Sequence, residues 1–477
     1  MRATGRKLEK LKNCSPAETE MNDLSTDIRL NPVAAPRTPP LLFIGLLIVI
    51  VALSLLAAWI VNKPQIGILA AFVAGVGLAA LLFYNFRLFL TFLFPIIYLY
   101  PNNNLYLALI ILLTVSFAAE RFASGRIWLS VPYGYRIIII LALGIAAVGR
   151  SFEPDIGRFF FQYSILLPLY VFIIIYNSQI STTDIHLHIR TAGLVMALIG
   201  FLSVGNYVMF GAYRQVINWG SINIASVIFG MLIPLTLAHI FDERQKSWQK
   251  LDAFIIAGLT VGLVLTQTRA ILLATIVAIL LLARRDRRIL ILFIPGLLLA
   301  VAMLPSVIGR MMMLFGVGVI PDWSAVGRIQ IWKNSLMLLK DHWFWGLGVQ
   351  NFYEVYNALF PYSLIGASHP HNIYLRMIFD YGFIAAVFFF SIIFSIIWRG
   401  YCRVGYLYKQ GEISDGKLMS ALNAALFVVL VGGLLDSCLT MVIALFFWTL
   451  CAFQVVLLKR TPPSLGVGSS SFALSLE

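Results

Sequence analysis

Long apolar segments separated by short polar ones recur along the chain, and this pattern predicts an all-α, polytopic transmembrane bundle. A helix needs about 20 apolar residues to cross the hydrocarbon core of a bilayer. The 477 residues are 60% hydrophobic and 12% charged, whereas about 25% of residues are charged in soluble domains. We expect about 12 to 14 membrane-spanning helices of this length. The predicted spans are approximately 41–61, 65–83, 87–100, 104–119, 136–149, 159–176, 190–210, 221–240, 252–266, 270–283, 288–304, 372–398, 418–435 and 437–458.

The spans divide the chain into five predicted segments. Two segments form the membrane bundle, with about eleven spans in residues 41–304 and about three in residues 372–458. Residues 1–40 are polar and basic and contain several prolines, a composition typical of a disordered tail. Residues 459–477 form a second tail, and residues 305–371 form one large loop between the two parts of the bundle.

The basic residues predict which side of the membrane each segment faces. The net charge of +14 is spread over short clusters between apolar segments, such as Arg284-Arg-Asp-Arg-Arg288. Clusters of this kind remain on the cytoplasmic side, where they meet anionic lipid head groups. Both tails are therefore predicted to be cytoplasmic, and the loop 305–371 to face the opposite side. The sequence shows no basic stripe with interleaved aromatic residues, so we expect no nucleic-acid partner.

The large loop is predicted to contain an amphipathic helix over residues 328–340. Ile331, Leu336, Leu338 and Leu339 recur at helical spacing and are expected to lie against the bundle or the membrane surface.

Four polar residues near the non-cytoplasmic face are candidates for a site: Arg214, Arg269, His369 and His371. Guanidinium groups pair with phosphate oxygens through two parallel hydrogen bonds and stay charged at any relevant pH. A neutral imidazole can remove a proton from a hydroxyl group. Together these residue types suit a reaction in which an alcohol attacks a pyrophosphate-linked substrate.

Each candidate also has an ordinary structural interpretation. An arginine at the end of a span often reaches the lipid phosphates, and a loop histidine often only packs. Asn372 precedes a predicted span and suits a helix cap. The four cysteines and the carboxylates Asp322, Asp341 and Glu354 match no metal-binding spacing, so we expect no metal site.

Several motifs resemble the O-antigen ligase and polysaccharide polymerase superfamily. In the large loop these are Arg328-Ile-Gln-Ile-Trp332 and the segment from Asp341 to Phe352, which contains Trp345-Gly-Leu-Gly348. His371-Asn-Ile-Tyr-Leu375 and Asp380-Tyr-Gly-Phe383 follow in the same order as in the family. Upstream motifs are Gln267-Thr-Arg-Ala270 and, with a spacing one residue shorter than usual, Trp219-Gly-Ser-Ile-Asn-Ile-Ala225. The segment also departs from the family in having His342-Trp343 where many members have His-Pro.

The resemblance implies a metal-independent glycosyltransferase with C-type architecture in the bacterial inner membrane, with no cofactor and with its active site facing the periplasm. Such an enzyme moves a glycan from undecaprenyl pyrophosphate onto an acceptor hydroxyl, on another glycan or on lipid A-core. The family pattern assigns Arg214 and Arg269 to the pyrophosphate and His371 to the acceptor hydroxyl as general base. His369, Arg328 and Tyr374 are secondary candidates for loop architecture or sugar contacts.

The sequence leaves several functions open. A ligase that attaches finished chains is favoured slightly over a polymerase that joins repeat units, and a ligase acting on protein ranks lower. A flippase for lipid-linked oligosaccharides is the alternative from another class. Transporters place charges at the membrane midplane, whereas here most charges lie at the ends of the predicted spans, which favours the enzyme.

Overall fold

The computed structural model describes residues 86–99, 103–125, 128–210, 222–291, 293–294, 323–361, 367–436 and 439–460. Of these residues 83% are helical and none forms a strand, which confirms the predicted all-α fold. All of them belong to one compact unit, residues 71–477. The predicted tail 1–40, the spans 41–61 and 65–83, most of the span 288–304, loop residues 305–322 and tail residues 461–477 lie outside the described residues.

The described helices are numbered in chain order. Two short irregular helical segments join them, a π-helical turn at Gln162–Leu166 and a 3₁₀ turn at Glu243–Trp248. The α-helices are α1 Phe86–Leu99, α2 Asn103–Ala123, α3 Gly134–Val148, α4 Pro154–Phe161, α5 Leu167–Asn177, α6 Thr182–Phe210, α7 Ile222–Ile240, α8 Gln249–Thr266, α9 Arg269–Ala283, α10 Trp323–His342, α11 Phe352–Leu359, α12 Ile373–Tyr381, α13 Phe383–Lys409, α14 Ile413–Gly432 and α15 Met441–Lys459.

Eight described helical segments are long and apolar enough to cross a membrane. They are α2, the continuous segment from α4 to α5, α6, α7, α8, α13, α14 and α15. Three shorter apolar helices, α1, α3 and α9, accompany them. This arrangement confirms a polytopic helical bundle.

Contacts between α7, α9 and α14 define the two ends of the bundle. At one end, Lys417 near the start of α14 lies 3.7 Å from Asp286, just after α9, and Ser414 donates a hydrogen bond to Asp242, just after α7. We call this the Asp286 end. Helix α14 therefore runs antiparallel to α7 and α9. The first residue of α9 lies at the opposite end, which we call the His371 end, about 25 Å away by the rise per residue of an α-helix.

The interior of the bundle near the Asp286 end holds a buried ion pair between α6 and α8. Arg190 Nε and Nη2 donate to the two oxygens of Asp252, each at 2.9 Å, and the side chains are 5% and 0% exposed. Arg190 also donates to Gln245 and stacks over Trp248. Because every charge of this pair is neutralised locally, the cluster has the features of a structural clamp between two helices.

The region predicted as one span over 372–398 is instead two helices, α12 and α13. The chain turns between them at Gly382, whose φ is +90° and whose position leaves no room for a side chain, since a Cβ there would lie 2.4 Å from the Phe344 carbonyl oxygen. Hydropathy does not register such a turn, because both flanking segments are apolar.

A second, smaller core lies under α10. Ile331 and Leu338 of α10 pack with Phe352 and Tyr356 of α11 and with Phe379 of α12. The predicted amphipathic helix is therefore present, although it extends over Trp323–His342 and leaves Leu336 56% exposed. This core fixes α10 against the membrane bundle.

The buried ion pair yields a prediction about stability. Replacing Asp252 with Ala should destabilise the protein by about 3–5 kcal/mol, because it leaves the Arg190 charge buried without a partner. Thermal unfolding of the detergent-solubilised protein would show this as a lower midpoint. The double variant Arg190→Met/Asp252→Leu, which removes both charges, should recover most of the loss. An Asp252→Ala midpoint equal to that of the wild type would contradict the clamp.

Candidate active site at the His371 end

His371 lies in a short turn that leads into α12. Its φ of +47° places it in the left-handed region, which non-glycine residues seldom adopt and which requires support from the surrounding structure. The side chain is partly exposed. An imidazole held in a strained but open position can reach a substrate.

The turn is anchored on both sides of His371. On one side, Trp332 Nε1 of α10 donates to the carbonyl of Pro370 at 3.0 Å. On the other side, the Asn372 amide donates to the Leu434 carbonyl at 3.0 Å, and the Ile373 backbone N–H donates to Gly433 at 2.8 Å. The turn is thus tied to α10 and to the turn that follows α14, which comprises residues 433–436 (the 433–436 turn).

Asn372 also begins α12. Its side-chain oxygen accepts hydrogen bonds from the backbone N–H groups of Tyr374 and Leu375. The helix cap proposed for Asn372 from the sequence is therefore confirmed.

Asp436 is a member of the site that the sequence did not single out. Its Oδ1 lies 3.4 Å from His371 Nδ1, and its side chain is 5% exposed. A carboxylate at this nitrogen favours the tautomer in which Nδ1 carries the proton, which leaves Nε2 free to accept one. The only sequence signal for Asp436 is its position between two predicted spans, 418–435 and 437–458. Nothing in the sequence shows that Asp436 faces His371, which lies 65 residues away.

His369 packs against His371, with ring centroids 4.1 Å apart and ring planes at 64°. Burial, followed by the nearby His371 and Arg376, lowers the pKa of His369 to about 4. His369 is therefore neutral at neutral pH and adds no positive charge to the site.

Arg269 is the first residue of α9 and lies at the His371 end. Gln267, with a φ of +51°, ends α8 in a left-handed cap, and the chain reverses so that α9 begins two residues later. Ile271 of α9 and Val428 of α14 both lie next to Gly230 of α7. The first turn of α9 and the last turns of α14 are therefore packed together, and α14 leads directly into the 433–436 turn.

Arg214 lies outside the described residues. The helices that precede and follow it are α6 and α7, and the two contact each other at the Asp286 end through His186 and His239, at 2.8 Å. Since α6 begins and α7 ends near that contact, the end of α6 and the start of α7 lie at the His371 end.

Tyr374 and Arg328, the secondary candidates, have different surroundings. The Tyr374 hydroxyl donates to the Leu430 carbonyl at 3.0 Å, and its ring packs on Phe390 with 4.7 Å between the centroids, so Tyr374 holds α12 against α14. Arg328 is partly exposed and lies four residues before Trp332, on the same face of α10 that approaches the His371 turn.

The glycines of the Trp345-Gly-Leu-Gly348 motif join the large loop to the bundle. Gly346, with a φ of +72°, lies where a Cβ would be 2.6 Å from the carbonyl oxygens of Ile378 and Phe379. The backbone N–H of Leu347 donates to Phe379 at 2.6 Å. The motif thus positions α10, and with it the Trp332 contact to Pro370.

These features give the His371 end two kinds of chemistry. A histidine backed by a carboxylate can accept a proton from a hydroxyl group and have the resulting positive charge stabilised. An arginine at a helix N-terminus favours a bound anion through both its charge and the helix dipole.

Residues 253–390 match the O-antigen ligase family model. The matched segment contains Arg269, Arg328, His369, His371 and Tyr374, and it ends before Asp436. This match confirms the resemblance seen in the sequence motifs. No curated protein matches the chain.

The packing at the 433–436 turn yields a prediction about the site. A Cβ at Gly433 would lie 2.4 Å from Ile373 Cγ2, so Gly433→Ala should displace the start of α12 and His371 with it. Misplacing a catalytic group by about 1 Å costs about 10²-fold in rate, so a glycan transfer in which His371 takes part, as the family match implies, should fall by that order. Transfer and thermal unfolding should be measured on the same preparations.

Gly405→Ala is the matched control, because a Cβ at Gly405 meets no atom within 4 Å. It should leave transfer unchanged. Equal transfer by the Gly433→Ala variant and the wild type would contradict the dependence of His371 on this contact.

Proposed function

We propose that the chain, which carries the O-antigen ligase family domain, transfers a glycan from undecaprenyl pyrophosphate to an acceptor hydroxyl in the biosynthesis of a surface polysaccharide. The observation that carries this proposal is the His371–Asp436 pair, anchored at the same end of the bundle at which α9 begins with Arg269. The pair supplies a base, and Arg269 supplies positive charge for a phosphate.

In the proposed reaction, the acceptor O–H gives its proton to His371 Nε2 while the acceptor oxygen attacks the anomeric carbon of the donor glycan. The bond from that carbon to the pyrophosphate oxygen breaks, and undecaprenyl pyrophosphate leaves with the bonding electron pair. Arg269, together with Arg214, neutralises the charge that develops on the pyrophosphate. Asp436 stabilises the imidazolium until the proton passes to solvent. No metal or cofactor takes part.

The site is proposed to face the periplasm of a bacterial inner membrane, with both termini cytoplasmic. Basic side chains gather at the Asp286 end, which agrees with a cytoplasmic location for that end. Examples among the described residues are Arg244, Arg285, Arg288, Lys409 and Lys417.

The alternative of a flippase is less well supported. The buried pair of Arg190 and Asp252 lies close to the Asp286 end, and both charges are engaged with each other. A transporter is expected to carry charged residues at the membrane midplane. The Arg190–Asp252 pair instead lies near one end of the bundle.

Complementation of a host that lacks this gene tests the proposed roles of His371 and Arg269. His371→Ala should reduce transfer by about 10²–10⁴-fold, because it removes the base. Arg269→Ala should reduce it by about 10²–10³-fold, because it removes charge stabilisation. Surface polysaccharide would be resolved on gels, with protein levels measured in parallel.

Two matched controls accompany these variants. His342→Ala removes another histidine of the large loop, and Arg158→Ala removes an arginine of α4 whose side chain is 70% exposed; both should restore the wild-type pattern. Retention of single-repeat material would identify a polymerase, and long chains left on the lipid carrier would identify a ligase. Restoration of the wild-type pattern by both His371→Ala and Arg269→Ala would refute the proposed site.

A further inference from the structure

Three potential metal ligands meet at the His371 end. One atom each from His369, His371 and Asp436 can be chosen so that all three lie within 4.8 Å of one another. They come from two separate parts of the chain, the turn before α12 and the 433–436 turn. The hydrogen bonds of Asn372 and Ile373 to Leu434 and Gly433 hold these parts together.

The spacing is close to that of a coordination shell. Zinc binds imidazole nitrogen at about 2.0–2.1 Å and carboxylate oxygen at about 2.0–2.2 Å. Two such ligands on a tetrahedral ion are then about 3.4 Å apart, and His371 Nδ1 lies 3.4 Å from Asp436 Oδ1. One ligand atom from each of the three residues lies within 4.8 Å of the others. Shifts of up to about 1.4 Å, chiefly by the partly exposed His369, therefore bring the three atoms to the spacing of a zinc shell.

We propose that His369, His371 and Asp436 form a reversible zinc site, and that zinc bound there inhibits the transferase. The binding part stands on the cluster alone, whereas the inhibition rests on the proposed function. The site would provide three protein ligands and leave a fourth position for water, an arrangement common for zinc.

The choice of metal follows from the ligands. Two of the three are imidazoles, which suit zinc and its neighbours in the first transition series. Magnesium and calcium prefer shells made of oxygen atoms, and the cluster offers oxygen only from Asp436.

Inhibition follows from the two nitrogens of His371. In the proposed reaction Nδ1 carries a proton directed at Asp436, and Nε2 accepts the proton of the acceptor hydroxyl. A metal bound at Nδ1 displaces that proton. The neutral ring then carries its one proton on Nε2. The ring then has no free lone pair, so it cannot act as the base. Zinc would also occupy the Asp436 carboxylate that stabilises the imidazolium.

Calorimetric titration of the full-length, detergent-solubilised protein with Zn²⁺ tests the binding. The protein would be prepared without a polyhistidine tag. The wild type should bind one Zn²⁺ per chain through this cluster, and His369→Ala and Asp436→Asn should each weaken that binding at least about tenfold, since even the loss of supporting groups around a metal costs 10–100-fold. His342→Ala, which removes a histidine outside the cluster, should bind as the wild type does, and excess Mg²⁺ should not compete.

Absence of stoichiometric Zn²⁺ binding, unchanged binding by both cluster variants, or displacement by Mg²⁺ would each overturn the site. None of these results depends on the transferase activity, so they are distinguishable from a failure of the proposed function.

The inhibition is tested separately with the wild-type enzyme. Transfer should fall as Zn²⁺ is added, with half-maximal loss near the dissociation constant measured by calorimetry, and it should return after chelation by EDTA. In His369→Ala, the activity that remains should need at least about tenfold more Zn²⁺ for the same fractional loss, matching its weaker binding. Full activity at saturating Zn²⁺ would overturn the inhibition, as would an enzyme that EDTA inactivates and Zn²⁺ restores.

Discussion

The position of one imidazole depends on a small set of hydrogen bonds between segments that are far apart in sequence. Trp332 Nε1 donates to the Pro370 carbonyl just before His371. Just after His371, the Asn372 side-chain amide donates to the Leu434 carbonyl and the Ile373 backbone N–H donates to the Gly433 carbonyl. These contacts support a left-handed backbone at His371 that the residue itself disfavours. They also bring Asp436 to Nδ1, so the same interactions that fix the ring fix its tautomer.

The antiparallel packing of α7, α9 and α14 explains how a charged site coexists with an apolar bundle. Asp286, Lys417, Asp242 and Ser414 interact at one end, whereas Arg269 and the 433–436 turn lie at the other. Because α9 and α14 run antiparallel and both rise by about 1.5 Å per residue, the Asp286–Lys417 contact at one end sets which turns of the two helices meet at the His371 end. The glycine turns at Gly346 and Gly382 then attach the large loop to the bundle, and α10 reaches Pro370.

The sequence predicted those features that depend on local patterns. Apolar segments of sufficient length indicated the helices, and the residue type at 372 indicated the cap of α12. The turn at Gly382 was missed because hydropathy depends on side-chain type and carries no information about a backbone angle. Asp436 and the Arg190–Asp252 pair were missed because each depends on the packing of helices separated by about 60 residues or more, which no local pattern encodes. The roles of Arg269, His371 and the secondary candidates remain predictions, and Arg214 lies outside the described residues.

The central claim is that Asp436 acts through His371 in glycan transfer. A double-mutant cycle of transfer rates with Asp436→Asn, His371→Gln and the combined variant tests it most directly. Each single variant should lower the rate by about 10²-fold or more, since each disables the base. The combined variant should be no slower than His371→Gln alone. A combined variant slowed by the product of the two single effects would show that the two residues act independently, and would contradict the account.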